Sequence, residues 1–195
     1  MLKILAGFFD IIEFFVSTAA VAILIYLFLT QPHEVNGSSM FPNFHDKEFL
    51  LTDKLSYRLH TPTRGDVVIF SAPSTAHCPV GLNCDFIKRI VGLPGEKIMV
   101  KGGRVYINNQ LLHEPYLEDS VITYPGPSST SFLVEGVDRL IPDGSYVTLG
   151  DNRGASSDSR DWGVVARNHI VGKAWIRYWP PKVAGILAFM PATTQ

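Results

Sequence analysis

The first thirty residues form a single apolar block, unlike the rest of the chain. Residues Ile11–Leu29 read IIEFFVSTAAVAILIYLFL, with Glu13 as their one charge. Since a helix rises about 1.5 Å per residue, a run of this length matches the roughly 30 Å hydrocarbon core of a bilayer. A cleaved signal peptide is disfavoured because only Lys3 precedes the run as a basic residue and Thr30–His33 is a poor cleavage site. The pattern predicts a retained single transmembrane helix at about 11–29 rather than a buried core helix.

After this block the pattern changes to short β-branched or aromatic runs separated by turn residues. No long segment with a helical period follows, and Lys101-Gly102-Gly103 is typical of a hairpin turn because glycine supplies positive φ. The residues from Leu117 to Ser131 are rich in Pro, Ser and Thr and indicate a surface loop. The predicted strands are Glu48–Thr52, Asp66–Phe70, Phe86–Val91, Lys97–Val100, Arg104–Ile107 and Ser145–Leu149.

These patterns predict a mostly β protein in which one transmembrane helix precedes a folded-over antiparallel sheet or barrel-like domain. We divide the chain into an N-terminal segment (1–31), a β-rich domain (32–182) and a short C-terminal tail (183–195). Val183–Met190 is apolar but too short to span a membrane.

Composition excludes several classes of function. Hydrophobic residues make up 46% of the chain and charged residues 18%, which disfavours disorder. The net charge is −1 and no Lys/Arg-rich run occurs, so no nucleic-acid partner is predicted. The six histidines are scattered without metal-ligand spacing, so neither a metal nor another cofactor is predicted.

Three stretches combine small polar residues with apolar neighbours: Val35–Pro42, Phe86–Gly95 and Gly150–Gly163. Taken singly, each has an ordinary interpretation. The serines before Met40 suit a loop, Lys88 suits the solvent face of a strand, and Asp158 with Arg160 suits a structural ion pair. No histidine lies in any of the three, which argues against a Ser-His-Asp arrangement.

Together the stretches resemble the type I signal peptidases of bacteria and their organelle relatives. The resemblance extends from about Pro32 to Trp179 and implies a membrane-bound serine endopeptidase that removes signal peptides after Ala-x-Ala-type sites. It assigns Ser39 as nucleophile and Lys88 as general base. The motifs that carry it are Ser39-Met40-Phe41-Pro42, Arg64-Gly65-Asp66-Val67-Val68, Lys88–Gly95 and Gly150–Arg160, the last reading Gly-Asp-Asn-Arg-x-x-Ser-x-Asp-Ser-Arg.

A lysine base imposes a physical requirement on its surroundings. An exposed lysine has a pKa of about 10.4 and is protonated at neutral pH, whereas burial lowers that pKa. Phe86, Ile87 and Ile90 surround Lys88 in sequence, and Arg89 points to the opposite face of a strand, where its charge also opposes protonation of Lys88. We therefore expect Lys88 to be buried and neutral in the active enzyme.

The resemblance also implies supporting residues. Ser156 corresponds to a serine that hydrogen-bonds the lysine nitrogen, and Asp158 and Arg160 support its loop. The oxyanion hole uses the backbone N–H of Ser39. Some family members add a serine hydroxyl two positions earlier, where this chain has Gly37, which leaves a backbone N–H or the Ser38 hydroxyl as alternatives.

Substrate pockets in this family are shallow and apolar and select small residues one and three positions before the cut. The matching residues here are Val35 and Met40 beside the nucleophile, with Phe86 and Ile87 beside the base. Packing in the core is the alternative interpretation for each.

Cys78 and Cys84 lie just before Lys88. In an oxidising compartment we expect a disulfide between them, with two free thiols as the alternative and a zinc site with His77 as a third.

The expected partners are signal-peptide-bearing preproteins and the lipid bilayer, with the export machinery as a further candidate. The expected location is the cell membrane, single-pass, with the catalytic domain on the extracytoplasmic side. The alternatives are a related Ser/Lys peptidase of repressor or pilin-processing type, and a non-enzymatic membrane-tethered β adaptor.

Overall fold

The computed structural model describes residues 2–76, 78, 84–128 and 131–194. Helix α1 spans Leu2–Leu29 and runs directly into the first strand, β1, at Thr30. Large apolar side chains of α1, such as Phe14, Phe15 and Phe28, are exposed rather than packed on the domain. Within the described residues, no helix meets the length and apolarity that a bilayer crossing requires.

The remainder of the described chain is mostly β, as predicted. Two short helices interrupt it, α2 at Ser56–Leu59 and α3 at Ser159–Trp162, with 3₁₀ turns at Arg167–His169 and Pro181–Val183. The strands are β1 Thr30–Glu34, β2 Phe49–Asp53, β3 Val67–Ser71, β4 Asp85–Gly92, β5 Lys97–Lys101, β6 Arg104–Ile107, β7 Gln110–His113, β8 Arg139–Leu140, β9 Ser145–Leu149, β10 Val165–Ala166, β11 Ile170–Trp179, β12 Gly185–Ile186 and β13 Thr193–Thr194.

The strands form two antiparallel sheets. The first has the order β1-β2-β11-β3-β4-β9-β10, with β12 paired to β11, and the second has the order β13-β7-β6-β5-β8. The predicted hairpin is confirmed: Lys101 pairs with Arg104, and Gly102 and Gly103 between them have φ of +57° and +77°. All six predicted strands are present, with bounds that agree to within a residue.

The buried apolar side chains form three clusters, and one of them joins the two sheets. Val147 and Leu149 of β9 pack with Ile98 of β5 and with Val105 and Ile107 of β6. The second sheet is therefore held against the β4–β9 side of the first by burial of these alternating positions.

The segment that follows Val183 contacts both sheets. Strand β12 pairs with β11, and β13 pairs with β7. Ala192 is buried, and Met190 packs on the core that joins the sheets. Within Val183–Met190, Leu187 and Met190 pack on the domain, whereas Val183, Ile186 and Phe189 remain exposed.

Candidate active site

Ser39 lies in a tight turn that connects β1 to the loop before β2. Two backbone hydrogen bonds fix the approach to this turn, from the Val35 N–H to the Glu48 carbonyl and from the Lys47 N–H to the Val35 carbonyl, both 2.8 Å. Gly37 adopts φ +88°, and its N–H donates to the Asp46 carboxylate at 2.7 Å. A glycine therefore suits this position, because side chains are strained at such a φ.

Strand β4 brings Lys88 to the same place. Lys88 pairs with Val68 of β3 and is only 5% exposed, and its Nζ lies 2.7 Å from the Ser39 Oγ. The same nitrogen lies 3.0 Å from the Ile87 carbonyl oxygen and 5.6 Å from the centre of the Phe86 ring. The two residues singled out in the sequence analysis, which lie far apart in the chain, are therefore in hydrogen-bond contact.

The surroundings of Lys88 favour its neutral form. Burial lowers the pKa of its amine to about 8, while the negative charges of Asp158 and Asp151 raise it and the Arg160 guanidinium lowers it further. Desolvation outweighs the two carboxylates because each of them is paired with an arginine. The cation that opposes protonation of Lys88 is therefore Arg160, whereas we expected Arg89 from the sequence.

Arg89 instead fixes the loop that follows β9. Its guanidinium donates to both carboxylate oxygens of Asp151, at 2.8 and 2.6 Å, and its plane lies 4.0 Å from the centre of the Tyr116 ring. The Asn43 amide also donates to Asp151 at 2.8 Å. Asp151 thus ties strand β4 and the segment after Ser39 to one loop.

Asp158 and Arg160 organise the other end of this loop. The Arg160 guanidinium donates to both oxygens of Asp158 at 2.8 Å, and Asp158 accepts the Gly150 N–H at 3.0 Å. Arg160 further donates to the carbonyl oxygens of Arg153 and Ser156, at 2.8 and 3.2 Å. The buried pair therefore closes the loop on itself and lies near the base without touching the Ser39 hydroxyl.

Asn152 contacts the nucleophile turn directly. Its backbone N–H donates to the Ser39 carbonyl at 3.0 Å, and its side-chain amide donates to the Ser38 carbonyl at 3.1 Å. Sequence reasoning gave Asn152 only a general role in the loop. Asn152 directly follows Gly150 and Asp151 in a motif of the family, and this position could have indicated that it contacts the motif that contains Ser39.

Ser156 lies at the site, but its expected hydrogen bond is not formed. Its Oγ is buried and has no hydrogen-bond partner among the described residues. A Cβ at Gly150 would lie 2.2 Å from that Oγ and 2.5 Å from the Ser39 carbonyl oxygen. Gly150 is required here because the loop and the nucleophile turn approach too closely for a side chain.

A cleft of about 430 Å³ opens beside the Ser39–Lys88 contact. Three of the four expected pocket residues, Val35, Phe86 and Ile87, line it together with Leu50 and Ile69. The expectation for Met40 is wrong in this structure. Met40 is fully buried and packs with Phe44 in the core beneath the turn, as the alternative interpretation held.

Cys78 and Cys84 form a disulfide with an S–S distance of 1.94 Å, directly before β4. His77, which the zinc alternative invoked, lies outside the described residues. Within the described part of the chain, no cluster of three His, Cys, Asp or Glu side chains is arranged to hold a metal ion.

Comparison with known proteins identifies the family of this chain. Residues 8–179 match the family described as signal peptidase, peptidase S26. The chain belongs to this family.

Several curated relatives support this assignment. A probable signal peptidase I-2 of Synechocystis is 37% identical over 88% of this chain and 73% of its own length. A signal peptidase I of Leptolyngbya laminosa is 36% identical over 90% of this chain and 81% of its own length, and signal peptidase IB of Staphylococcus aureus is 32% identical over 88% and 91%. A crystal structure of a signal peptidase I from Enterococcus faecalis is 27% identical, has a TM-score of 0.45 and covers 58% of this chain and 97% of that one.

Proposed function

We propose that this S26 peptidase removes N-terminal signal peptides from exported preproteins, with Ser39 as nucleophile and Lys88 as general base. The observation that carries the assignment of these residues is the 2.7 Å contact between the Ser39 Oγ and the buried Lys88 Nζ. The family match and the relatives named signal peptidases supply the reaction. An amine with a pKa near 8 is largely protonated at pH 7 but supplies a useful neutral fraction slightly above it.

The acylation step follows from this contact. Neutral Lys88 accepts the Ser39 hydroxyl proton as Oγ attacks the scissile carbonyl carbon, and the carbonyl electron pair moves onto oxygen. When the C–N bond breaks, the Lys88 ammonium returns the proton to the leaving amine of the mature protein. The signal peptide is then an ester on Ser39.

Water completes the cycle with Lys88 as base again. Lys88 takes a proton from water as the water oxygen attacks the ester carbonyl, and then returns it to Ser39 Oγ as the ester bond breaks. Asp158 and Arg160 act as supports in this scheme, because they fix the loop beside the base without approaching the reacting atoms. Ser156 brings a buried, unpaired hydroxyl to the same loop, and we assign it the role of orienting the Lys88 amine.

The developing oxyanion is stabilised by the Ser39 backbone N–H. The Gly37 N–H does not serve as a second donor because it is already hydrogen-bonded to Asp46. We assign the second donor to the exposed Ser38 hydroxyl rather than to another backbone N–H of the turn, and Ser38→Ala tests this assignment directly.

The preprotein binds in the cleft as an added strand. Strand β4 pairs with β3 along Asp85–Arg89, whereas β9 pairs only with the stretch of β4 from Arg89 onward, so the other edge of β4 at 85–88 is open to a peptide. An extended chain there forms main-chain hydrogen bonds and presents alternate side chains to Val35, Phe86 and Ile87. The small apolar cleft accommodates small side chains before the cut.

Helix α1 anchors this peptidase domain as a single span, with the domain on the extracytoplasmic side. The support is the apolar run of residues 11–29 and the exposure of its large side chains, which no part of the domain covers. The bilayer and the export machinery are then neighbours of the enzyme, and the cleft lies close to the membrane surface.

Cleavage of a preprotein that carries Ala-x-Ala before its cut site tests the dyad. Ser39→Ala and Lys88→Met should each reduce the initial rate by at least about 10³-fold, because the first lacks the nucleophile and the second lacks the base. Ser120→Ala and Lys101→Met are matched controls at exposed positions and should retain full activity. Activity that persists in Ser39→Ala would eliminate the dyad, and failure of the wild type on every preprotein would favour the adaptor or a peptidase with a dedicated substrate.

A further inference from the structure

The peptide unit between Ser38 and Ser39 is held at its carbonyl end. The Ser38 carbonyl oxygen accepts two hydrogen bonds, from the Asn152 side-chain amide and from the Phe41 backbone N–H, both at 3.1 Å. The N–H of this unit, on Ser39, has no acceptor among the described residues. The next carbonyl, on Ser39, accepts the backbone N–H of Asn152 at 3.0 Å.

A peptide unit is planar, and in its trans form the C=O and N–H point in opposite directions. The described chain has cis peptides only at Phe41–Pro42 and Trp179–Pro180, so the Ser38–Ser39 unit is trans. The bond within the turn, from Phe41, and the bond from the neighbouring loop, from Asn152, together fix the Ser38 carbonyl and therefore also the direction of the Ser39 N–H, away from both donors. A donation to the carbonyl also polarises the unit and strengthens the N–H as a donor.

We propose that Asn152 is the positioning residue of the oxyanion hole: its side-chain amide orients the peptide unit whose other end, the Ser39 N–H, stabilises the oxyanion. This inference rests on the proposed function, since it concerns the carbonyl that Ser39 attacks. Asn152 touches no reacting atom and acts through the peptide plane.

The backbone of Asn152 is itself well fixed. On one side Asp151 is 2% exposed and paired with Arg89, and on the other Arg153 is 3% exposed and paired with Glu114. The Arg153 guanidinium also donates to the Gly150 carbonyl at 3.1 Å. Two buried ion pairs thus hold the residue between them, and the side-chain amide transmits that fixed position to the turn.

The chemistry at this position requires a donor. A carbonyl oxygen only accepts, so an amide N–H satisfies it, whereas a carboxylate oxygen in the same place repels it. Asn152→Ala removes the side-chain bond and leaves two backbone bonds in place, from Asn152 to the Ser39 carbonyl and from Phe41 to the Ser38 carbonyl. Asn152→Asp keeps the shape and turns the attraction into repulsion, which rotates the peptide unit.

Steady-state cleavage of a peptide substrate by the full-length enzyme in detergent is the primary test. Because removal of an oxyanion donor costs about 10²–10³-fold in kcat, we expect a loss of about 10-fold for Asn152→Ala and about 100-fold for Asn152→Asp, with KM little changed. Asn168→Ala and Asn168→Asp are the matched controls, because Asn168 is exposed on the 3₁₀ turn at 167–169, and both should leave kcat unchanged.

A peptide boronate separates stabilisation of the oxyanion from binding of the substrate. Its boron accepts the Ser39 Oγ electron pair while Lys88 takes the proton, which yields a tetrahedral boronate anion. The inhibition constant for the boronate should rise in parallel with the loss in kcat/KM across the Asn152 variants. The dissociation constant of an intact substrate peptide, measured in a Ser39→Ala background, should not change.

The pH profile separates Asn152 from the base. The carboxylate of Asn152→Asp favours the protonated form of Lys88 and moves the rise in rate to higher pH, so kcat is compared on the plateau above that rise. A loss that disappears on the plateau, together with a fully active Asn152→Ala, would overturn the proposal. A loss confined to KM, or to binding of the intact peptide, would also overturn it. Failure of the dyad itself appears separately, as activity in Ser39→Ala.

Discussion

At the scale of single residues, the site depends on one side chain in an unfavourable place. Lys88 is buried in apolar surroundings, near two carboxylates that are already paired with arginines. At neutral pH a lysine at this position lowers the free energy of unfolding, because its ammonium loses most of its hydration when the chain folds. Its presence is explained by the chemistry and not by the packing.

The charge state of Lys88 should affect both the rate of cleavage and the free energy of unfolding. The base acts when neutral, so kcat/KM should rise about tenfold per pH unit below the pKa of about 8 and level off above it. The folded-state pKa lies below the value of about 10.4 in an unfolded chain. Between these two values the unfolded state binds more protons, so the free energy of unfolding should increase with pH.

Lys88→Met tests the same feature at constant pH. Removing the buried amine should raise the free energy of unfolding at pH 7 by an amount on the order of 2–3 kcal/mol and should abolish the added stability between pH 8 and 10.4. Urea denaturation at several pH values measures both effects, with Lys101→Met at an exposed position as control. A Lys88→Met protein that is less stable than wild type at pH 7 would contradict this account.

Residue types and spacing indicated much of the site but not its contacts. Ser39 and Lys88 followed from four motifs in order along the chain. Met40 packs in the core, whereas Val35, five positions earlier, lines the cleft. This difference depends on how the turn folds, which no local sequence pattern encodes. The two bonds of Asn152 join segments more than a hundred residues apart, and their geometry is set by the loop.

At the scale of elements, the predicted strands were those with a clear β signal. Strand β11, which lies between β2 and β3, was missed because Gly172 and Lys173 interrupt its apolar pattern and because its register against both neighbours contains irregularities. Strand β1 was missed because TQPHE is polar and contains a proline, which an edge strand tolerates. Pairing with a neighbour overrides weak local preference in both strands.

Gly65 marks a contact between elements that is open to test. It has φ +94°, and a Cβ there would lie 2.5 Å from the Met190 carbonyl oxygen in the segment between β12 and β13. Gly65→Ala should therefore lower the free energy of unfolding by about 3 kcal/mol, from backbone strain of about 1 kcal/mol and overpacking of about 2 kcal/mol.

Gly95→Ala is the matched control for this substitution. Gly95 has φ +79°, but a Cβ there would meet nothing within 4 Å. Gly95→Ala should therefore lower the free energy of unfolding only by the backbone strain, about 1 kcal/mol. In a chain shortened after residue 183, which lacks the C-terminal segment, Gly65→Ala should lower the free energy of unfolding no more than Gly95→Ala does. Equal costs at the two glycines in thermal unfolding would show that the segment does not pack there in solution.

At the scale of the whole molecule, α1 would determine where catalysis takes place if it anchors the domain as proposed. The helix continues directly into β1, an edge strand of the sheet that carries Lys88, so no flexible linker separates the proposed anchor from the domain. A substrate held in the same bilayer then meets the cleft at high effective concentration. The chemistry itself needs no part of α1.

Removal of residues 1–29 separates location from chemistry, because it leaves β1 intact. Cleavage of a preprotein inserted in lipid vesicles should fall by about 10²-fold or more, while kcat/KM on a short soluble peptide should stay within about twofold. The comparison requires both substrates at equal total concentration. A similar loss on the soluble peptide would mean that α1 supports the fold of the domain.

Strand β4 places two consecutive cations on opposite faces, Lys88 against Ser39 and Arg89 against Asp151. Deletion of one residue between Asp85 and Lys88 would shift the strand register and bring the Arg89 guanidinium to the nucleophile, whereas insertion of one residue would bring Ile87 there. Arginine stays protonated throughout the pH range in which proteins remain folded, so it cannot accept the proton of the Ser39 hydroxyl. We therefore expect related chains to differ by many substitutions near Lys88 but almost never by an insertion or deletion within β4. Differences in length should occur instead in the loop that precedes β4.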